Sequence, residues 1–364
     1  MKKYDIAAYV WPAYTGDEIR TRIFWPEGIG EWQTVKNMKN KGEYEWNRKP
    51  LWGYVNEANS YVMEMEIEAA TDHGVNVFIY DWYWYDNRPF LENCLNDGFL
   101  KAKNHHKMKF YLMWANHDVS YTWDKRISCL DATIWSGKVN MAQFKVIGKR
   151  WIEKYFNHPS YYCIDDKPVL SIYDMYNFVN GLGGIPKAKE ALDWLDEEVK
   201  KSGRKGIHIQ LIKYGEEMLN LSGVDNFKGD MAQESICRNL DCDSITHYQY
   251  VHFTDVDKNY CEITKDVLEE WETARQMSKE YFPHVSVGWD NNPRFQAFRD
   301  PVVKNNTPEE FEKVLLEAKK YVDENNTTPL ITINSWNEWT ETSYLEPDNL
   351  YGYGYLEAIK RVFK

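Results

Sequence analysis

Eight short apolar runs, spaced along the whole chain and mostly separated by helical stretches, constrain this sequence more than any other feature. They cover residues 6–11, 75–84, 109–116, 167–174, 207–214, 244–251, 284–290 and 330–339. Their hydrophobicity is nearly continuous rather than alternating, the pattern of strands covered on both faces, as in a parallel sheet. Between them, residues 62–70, 141–156, 188–199, 265–281 and 308–318 repeat apolar side chains at helical spacing. Thr307 followed by Pro308 predicts the start of the last helix, and Gly74 after Asp72 and His73 predicts the end of the first. No linker rich in Pro, Gly or Ser divides the 364 residues. The pattern therefore predicts one α/β domain over residues 1–364, a single (β/α)8 TIM barrel with enlarged βα loops at 15–58, 119–140 and 222–243. A doubly wound sheet would require a Gly-rich first βα turn, and residues 9–14 contain no glycine.

Composition narrows the partners. Aromatic residues make up 16% of the chain, with 16 Trp and 26 Tyr, roughly double ordinary usage. That is more than a core needs, and aromatic-lined clefts are the usual destination of the surplus. The net charge is −12 and no Lys/Arg block alternates with aromatics, so nucleic acid is not an expected partner. No run approaches the eighteen or so apolar residues of a membrane span. The six cysteines lack C-x-x-C or zinc-type spacing, so they read as reduced, mostly buried thiols, with a disulfide between two of them as the alternative. Met1-Lys2-Lys3 is not followed by an uninterrupted apolar region or a small-residue cleavage site, and the expected location is cytoplasmic.

The chemistry concentrates where the last run ends. Glu338 and Glu341 lie three residues apart, flanked by Trp336 and Trp339, just past a predicted buried strand. Paired carboxylates among aromatic rings suit glycosidic bond chemistry: one group moves the proton of a sugar oxygen, the other handles a second group, and the rings meet the sugar's C–H face. In a barrel, the C-terminal ends of the strands face the site. Those ends carry Tyr9 and Trp11; Asp81, Trp82, Tyr83 and Trp84; Trp114, Asn116 and His117; Tyr173 and Asp174; Tyr248 and Tyr250; Trp289 and Asp290; then Asn337 and Glu338. The candidate catalytic pair is Glu338 and Glu341. Candidate substrate-binding residues are Tyr9, Trp11, Asp81, Trp82, Trp84, Trp114, Asn116, His117, Tyr173, Tyr250, Trp289, Asp290, Trp336, Asn337 and Trp339. Core packing is the competing role for each ring, and loop capping for Asp81 and Asp290. The expected partner is an oligosaccharide or polysaccharide substrate. Asp241/Asp243 and Asp255/Asp257 have the D-x-D spacing of metal-dependent sugar-nucleotide transferases, but in so acidic a chain that spacing alone identifies no metal site. There is no P-loop, no G-x-S-x-G elbow and no dinucleotide fingerprint, and neither a metal nor a cofactor is expected.

Four blocks carry a family resemblance: residues 25–32, with Glu31 and Trp32; residues 69–84 together with 112–116; residues 334–348; and residues 351–357. They resemble the GH99-like family often labelled WbsX, related to the endo-α-mannosidases of glycoside hydrolase family 99. The resemblance spans nearly the whole chain. It implies a (β/α)8 barrel and a retaining mechanism in which Glu338 deprotonates the sugar's own 2-hydroxyl and Glu341 is the general acid/base. It further implies an α-linked manno- or rhamno-configured sugar, whose 2-hydroxyl can attack opposite the leaving group. The family label also implies an alternative, a glycosyltransferase of surface-polysaccharide assembly; a non-catalytic carbohydrate-binding barrel is the third reading. Two positions differ from the family pattern: Thr342 stands where a glycine is usual, and residues 114–118 lack the glutamate found near the third strand's end in the mannosidases.

Overall fold

In the computed structural model, which describes residues 4–128, 130, 132–221, 224 and 226–364, all eight apolar runs contain strands. The barrel strands are Asp5–Val10, Val77–Tyr85, Lys109–Trp114, Lys167–Ile172, His208–Ile212, Ser244–Thr246, a split seventh strand, and Leu330–Asn334. All pair in parallel with their neighbours. The seventh consists of Glu280–Tyr281, paired with the sixth, and His284–Ser286, paired with the eighth. Phe282 and Pro283 separate the two pieces; proline has no N–H for the ladder, so pairing is interrupted there. With the first strand paired to the eighth, the strand order returns on itself and the fold is a (β/α)8 barrel.

The helices form where apolar periodicity predicts them, at Ser60–His73, Met141–Trp151, Ile185–Lys201, Tyr260–Arg275 and Pro308–Asn325. Thr307 caps the last by accepting from the Glu310 N–H, and Gly74 ends the first at φ 103°, a left-handed conformation that costs glycine nothing. Gly148 lets Met141–Trp151 approach its neighbour: a Cβ there would lie 2.8 Å from the Trp194 ring. Three predicted features differ. The Tyr260–Arg275 helix stops before 281, because Glu280 and Tyr281 belong to the sheet. The expected loop 222–243 contains a helix, Gln233–Leu240. Within it, Cys237 is disulfide-bonded to Cys242, correcting the expectation of reduced thiols: Asp241 takes φ 56° and folds the chain back over the helix end. Cys129 lies outside the described residues.

Inside the barrel the lower layers are unusually polar. The Thr246 and Thr332 hydroxyls bond at 2.8 Å, His284 reaches Thr332 and Ser286, and Tyr111 donates to Gln210. These pairings satisfy groups that would otherwise be costly to bury, and they form the floor beneath the cleft. Among the described residues no helix is long and apolar enough to cross a membrane.

Candidate active site

After the eighth strand the chain turns sharply over the barrel mouth. The Trp336 N–H donates to the Tyr9 carbonyl, and the Asn337 side chain exchanges two bonds of 2.8 and 2.9 Å with the Trp11 backbone. This side chain extends the pairing of the first and eighth strands past their backbone ladder. Glu338 follows, its N–H held by Ser335 Oγ at 2.7 Å. A 3-10 turn, Trp339–Glu341, then brings Glu341 round to the same cleft. Thr342 closes the turn at φ 53°, a conformation that costs a β-branched residue about 1–2 kcal/mol. Its hydroxyl compensates by accepting from Trp46 Nε1 at 2.8 Å and donating to the Asp290 carbonyl at 2.9 Å. The backbone therefore has the left-handed shape a glycine would favour, held by threonine's hydroxyl.

One guanidinium organises the acids. Arg294 follows the seventh strand and is 7% exposed. Its Nη1 donates to Glu341 at 2.7 Å, its Nη2 to Glu338 at 2.9 Å, and its Nε to Thr340 at 2.9 Å while lying 3.3 Å from Glu31. Two ligands on one guanidinium keep the glutamate carboxyls within roughly 8 Å of each other, a separation at which a pair can act on one glycosidic bond. Three carboxylates around one cation cannot all be charged cheaply. Burial pushes Glu341 up to about 8, with the Glu338 charge adding to the rise and Arg294 opposing it. Burial likewise raises Glu31 to about 7, against the pull of Arg294. Near neutrality Glu341 thus keeps its proton, while Glu338 accepts from Arg294 and, at 2.8 Å, from the Tyr248 hydroxyl.

Tyr248 also lies 3.0 Å from Asp81. Its hydroxyl is placed to donate to either carboxyl, and its single proton serves one of them at a time. Burial first, then the Glu338 charge, pushes Asp81 well above the usual carboxylate range. The result is a chain Asp81–Tyr248–Glu338 along which a proton can be shared.

These groups open onto a cleft of about 1040 Å³ lined by Trp11, Asp81, Tyr83, His117, Trp123, Tyr173, Tyr214, Tyr248, Trp289, Arg294, Glu338 and Glu341 among others. Of the sequence-selected residues, Trp11, Asp81, His117, Tyr173, Trp289, Glu338 and Glu341 meet there. Five buried polar atoms of lining residues have no hydrogen-bond partner: Glu341 Oε2, Asp81 Oδ1, Tyr176 Oη, Tyr214 Oη and Trp289 Nε1. They supply one donor, two donor-acceptors and two carboxyl oxygens for a polyhydroxylated ligand, with tryptophan and tyrosine rings between them.

The other selected residues lie elsewhere, and strand geometry explains most of them. Successive side chains on a strand point to opposite faces, so Asp81 and Tyr83 face the barrel interior while Trp82 and Trp84 face the helices. Trp82 donates to Glu92 and stacks on Trp84, and Trp114 packs on Phe144, Trp151 and Phe178. Tyr9 points inward one layer too low and donates to the His247 carbonyl. Tyr250 is buried against Tyr260 and His284. Asn116 ties to the Asp174 backbone, and Asp290 caps its own loop through Asn292 and the Tyr44 hydroxyl. Trp336, Asn337 and Trp339 point behind the turn, to Glu66, Glu57 and Glu346. The aspartates with D-x-D spacing lie beside lysines: Asp241 and Asp243 near Lys279, Asp255 near Lys258, Asp257 near Lys304.

The residues that escaped selection include Tyr83, Tyr214, Tyr248 and Arg294, which line the cleft, and Glu31, which is fully buried beside Arg294. Tyr83 and Tyr248 share the inward parity of Asp81 and of their own strand's end, a signal that was present. Tyr214 ends the fifth run. Glu31 lies inside the 25–32 block and accepts from Trp11 Nε1. Arg294 has no motif around it; only the fold brings it to the acids.

Known proteins agree with this architecture. Two relatives, each described as uncharacterized protein WxcX from a strain of Xanthomonas campestris pv. campestris, are 23% and 22% identical over 354 residues, 93% of this chain. The chain spans about half, 46%, of those relatives' length. A solved glycoside hydrolase-like protein superposes with a TM-score of 0.63 at 14% identity, covering 100% of this chain and 95% of that one. The GH99 endo-alpha-mannosidase of Bacteroides thetaiotaomicron superposes with a TM-score of 0.55 at 13% identity, covering 98% and 95%. At such identities the likeness is one of fold. The family described as Glycosyltransferase WbsX matches residues 7–359, and this chain belongs to the WbsX family.

Proposed function

We propose that this chain is a retaining glycoside hydrolase acting on an α-linked manno- or rhamno-configured glycan, with Glu338 as base and Glu341 as general acid/base. The observation that carries the reading is the Arg294 bridge: it holds one carboxyl that keeps its proton near neutrality beside another that accepts from two donors, at the end of a ring-lined cleft. A carboxyl that holds its proton beside a second one that accepts from two donors is the division of labour acid–base catalysis needs. Glu338 takes the proton of the 2-hydroxyl as that oxygen attacks the anomeric carbon; the glycosidic C–O bond breaks and Glu341 gives its proton to the leaving oxygen. Glu341, now a carboxylate, draws a proton from water as it opens the 1,2-anhydro ring, and Glu338 returns a proton to O2. Two inversions leave the anomeric configuration retained. The cleft exceeds what a single ring would fill, which supports an oligosaccharide substrate.

Activity against aryl α-mannosides, aryl α-rhamnosides and defined oligosaccharides tests the assignment. Glu338→Gln and Glu341→Gln are each expected to lower kcat/KM by roughly 10²–10⁴-fold with circular dichroism unchanged. Wild-type kcat/KM should fall as pH rises past about 8, where Glu341 loses its proton. Full activity in either variant ends the assignment. The family's description favours a second reading, glycosyl transfer, in which an acceptor hydroxyl replaces the water. Thermal-shift screening against sugar nucleotides separates the two, since a donor at about a hundred times its Kd stabilises by about 2.7 kcal/mol.

A further inference from the structure

Behind the turn that carries Glu338, three further carboxylates converge. Glu57 precedes the Ser60–His73 helix, Glu66 lies on it, and Glu346 follows the short strand Ser343–Tyr344. One oxygen from each lies within 4.8 Å of the others, and all three residues are buried. The residues around Glu338 hold one carboxylate each. Trp336 Nε1 donates to Glu66 Oε2 at 3.1 Å, Asn337 Nδ2 contacts both Glu57 oxygens at 3.0 and 2.9 Å, and Trp339 Nε1 donates to Glu346 Oε2 at 2.5 Å. The Cys94 thiol adds a 3.6 Å contact to Glu57.

A second observation points to a ligand. The remaining oxygens, Glu66 Oε1 and Glu346 Oε1, are buried without a hydrogen-bond partner. Among the described residues no lysine, arginine or histidine pairs with any of the three acids; the charges they sense are mainly one another's. Three anions in a dry interior must be neutralised by protons or by a cation. A proton occupies one oxygen at a time and leaves the others bare, whereas a cation engages all three carboxylates together. The donors already present are N–H groups, which suit ionised acceptors.

We propose that Glu57, Glu66 and Glu346 form a buried structural site for one hard divalent cation of the Ca²⁺ class, fixing the Glu338–Glu341 turn from behind. The donor set is all oxygen, with no imidazole, which disfavours zinc and copper. Ca²⁺ accepts irregular carboxylate cages, while Mg²⁺ holds its waters and requires near-octahedral space. The site stands whichever reaction Glu338 and Glu341 perform.

The test uses the full purified chain. Elemental analysis after gel filtration should find about one calcium per chain. Chelation with EGTA should lower Tm by several degrees, restored by about 1 mM CaCl₂ and much less by MgCl₂. Terbium should bind with luminescence excited through tryptophan, given Trp336 and Trp339 at the ligating carboxylates, and Glu66→Gln should abolish both that emission and the calcium response. Should Glu66→Gln fail to fold, the wild-type metal content and chelator response decide alone. A chain that contains no divalent ion and whose Tm is unmoved by chelator, CaCl₂ or MgCl₂ overturns the proposal and leaves protons as the neutralising charge.

Discussion

Arg294 is the residue on which the acid pair depends. Its guanidinium is buried between Glu338, Glu341 and Glu31, where removing one partner of such a cluster costs about 3–5 kcal/mol. Its charge also opposes the upward push on Glu341. Arg294→Gln is therefore expected to do two things that a merely structural change would not do together. It should lower kcat by roughly 10- to 100-fold, the scale of lost transition-state positioning. It should also move the alkaline limb of the pH–rate profile upward from its wild-type position, because Glu341 then holds its proton more tightly. A pH–rate profile that falls in amplitude with its limb in place would leave Arg294 a packing residue only. No sequence signal marks this arginine. It sits in a loop after the seventh strand, and its partners lie 44 and 47 residues further along the chain. The acid pair was legible because two glutamates and two tryptophans crowd the end of one apolar run.

At the scale of single strands, alternation decides which aromatics line the cleft. Asp81, Trp82 and Trp84 read as equivalent candidates in sequence and Tyr83 between them was passed over, yet Asp81 and Tyr83 line the cleft while Trp82 and Trp84 pack outward. A strand buried on both faces carries large apolar residues on each, so hydrophobicity does not say which face is inside. Parity does, once a single inward residue is known. The same argument moves Trp114 out and brings Tyr248 in. Two conservative changes test it. Trp82→Phe removes the 2.8 Å bond to Glu92 and some outward packing, so Tm should fall while KM stays unchanged. Trp289→Phe removes a donor that lacks a protein partner inside the cleft. It should raise KM roughly two- to tenfold with little change in Tm, the worth of one hydrogen bond. Equal effects on KM from both would mean the outward face also meets substrate.

The whole molecule was the most legible level, because eight apolar runs of the right length admit few closures other than a barrel. What the linear pattern could not convey is where charge accumulates. Acids from positions 31, 81, 338 and 341 meet only when the strands close, and burial then holds protons on some of them. That has a consequence for stability. A carboxyl whose pKa is higher folded than unfolded binds its proton more tightly in the native state. Its stabilising contribution is complete below the unfolded value, near 4.5, and is lost as pH rises through the folded value. For Glu341 the loss runs from about 4.5 to about 8, and for Glu31 to about 7. Tm should therefore decline between pH 5 and pH 8, and Glu341→Gln, which carries no charge to bury, should flatten part of that decline. At pH 5 the variant should match the wild type closely. At pH 8.5 it should melt several degrees higher, since about 1 kcal/mol moves Tm by roughly 2 °C in a chain this large. An identical Tm difference at both pH values would mean Glu341 is charged in the folded protein throughout the range. It would then have no proton to give a leaving group, and the catalytic assignment would fall with the stability argument.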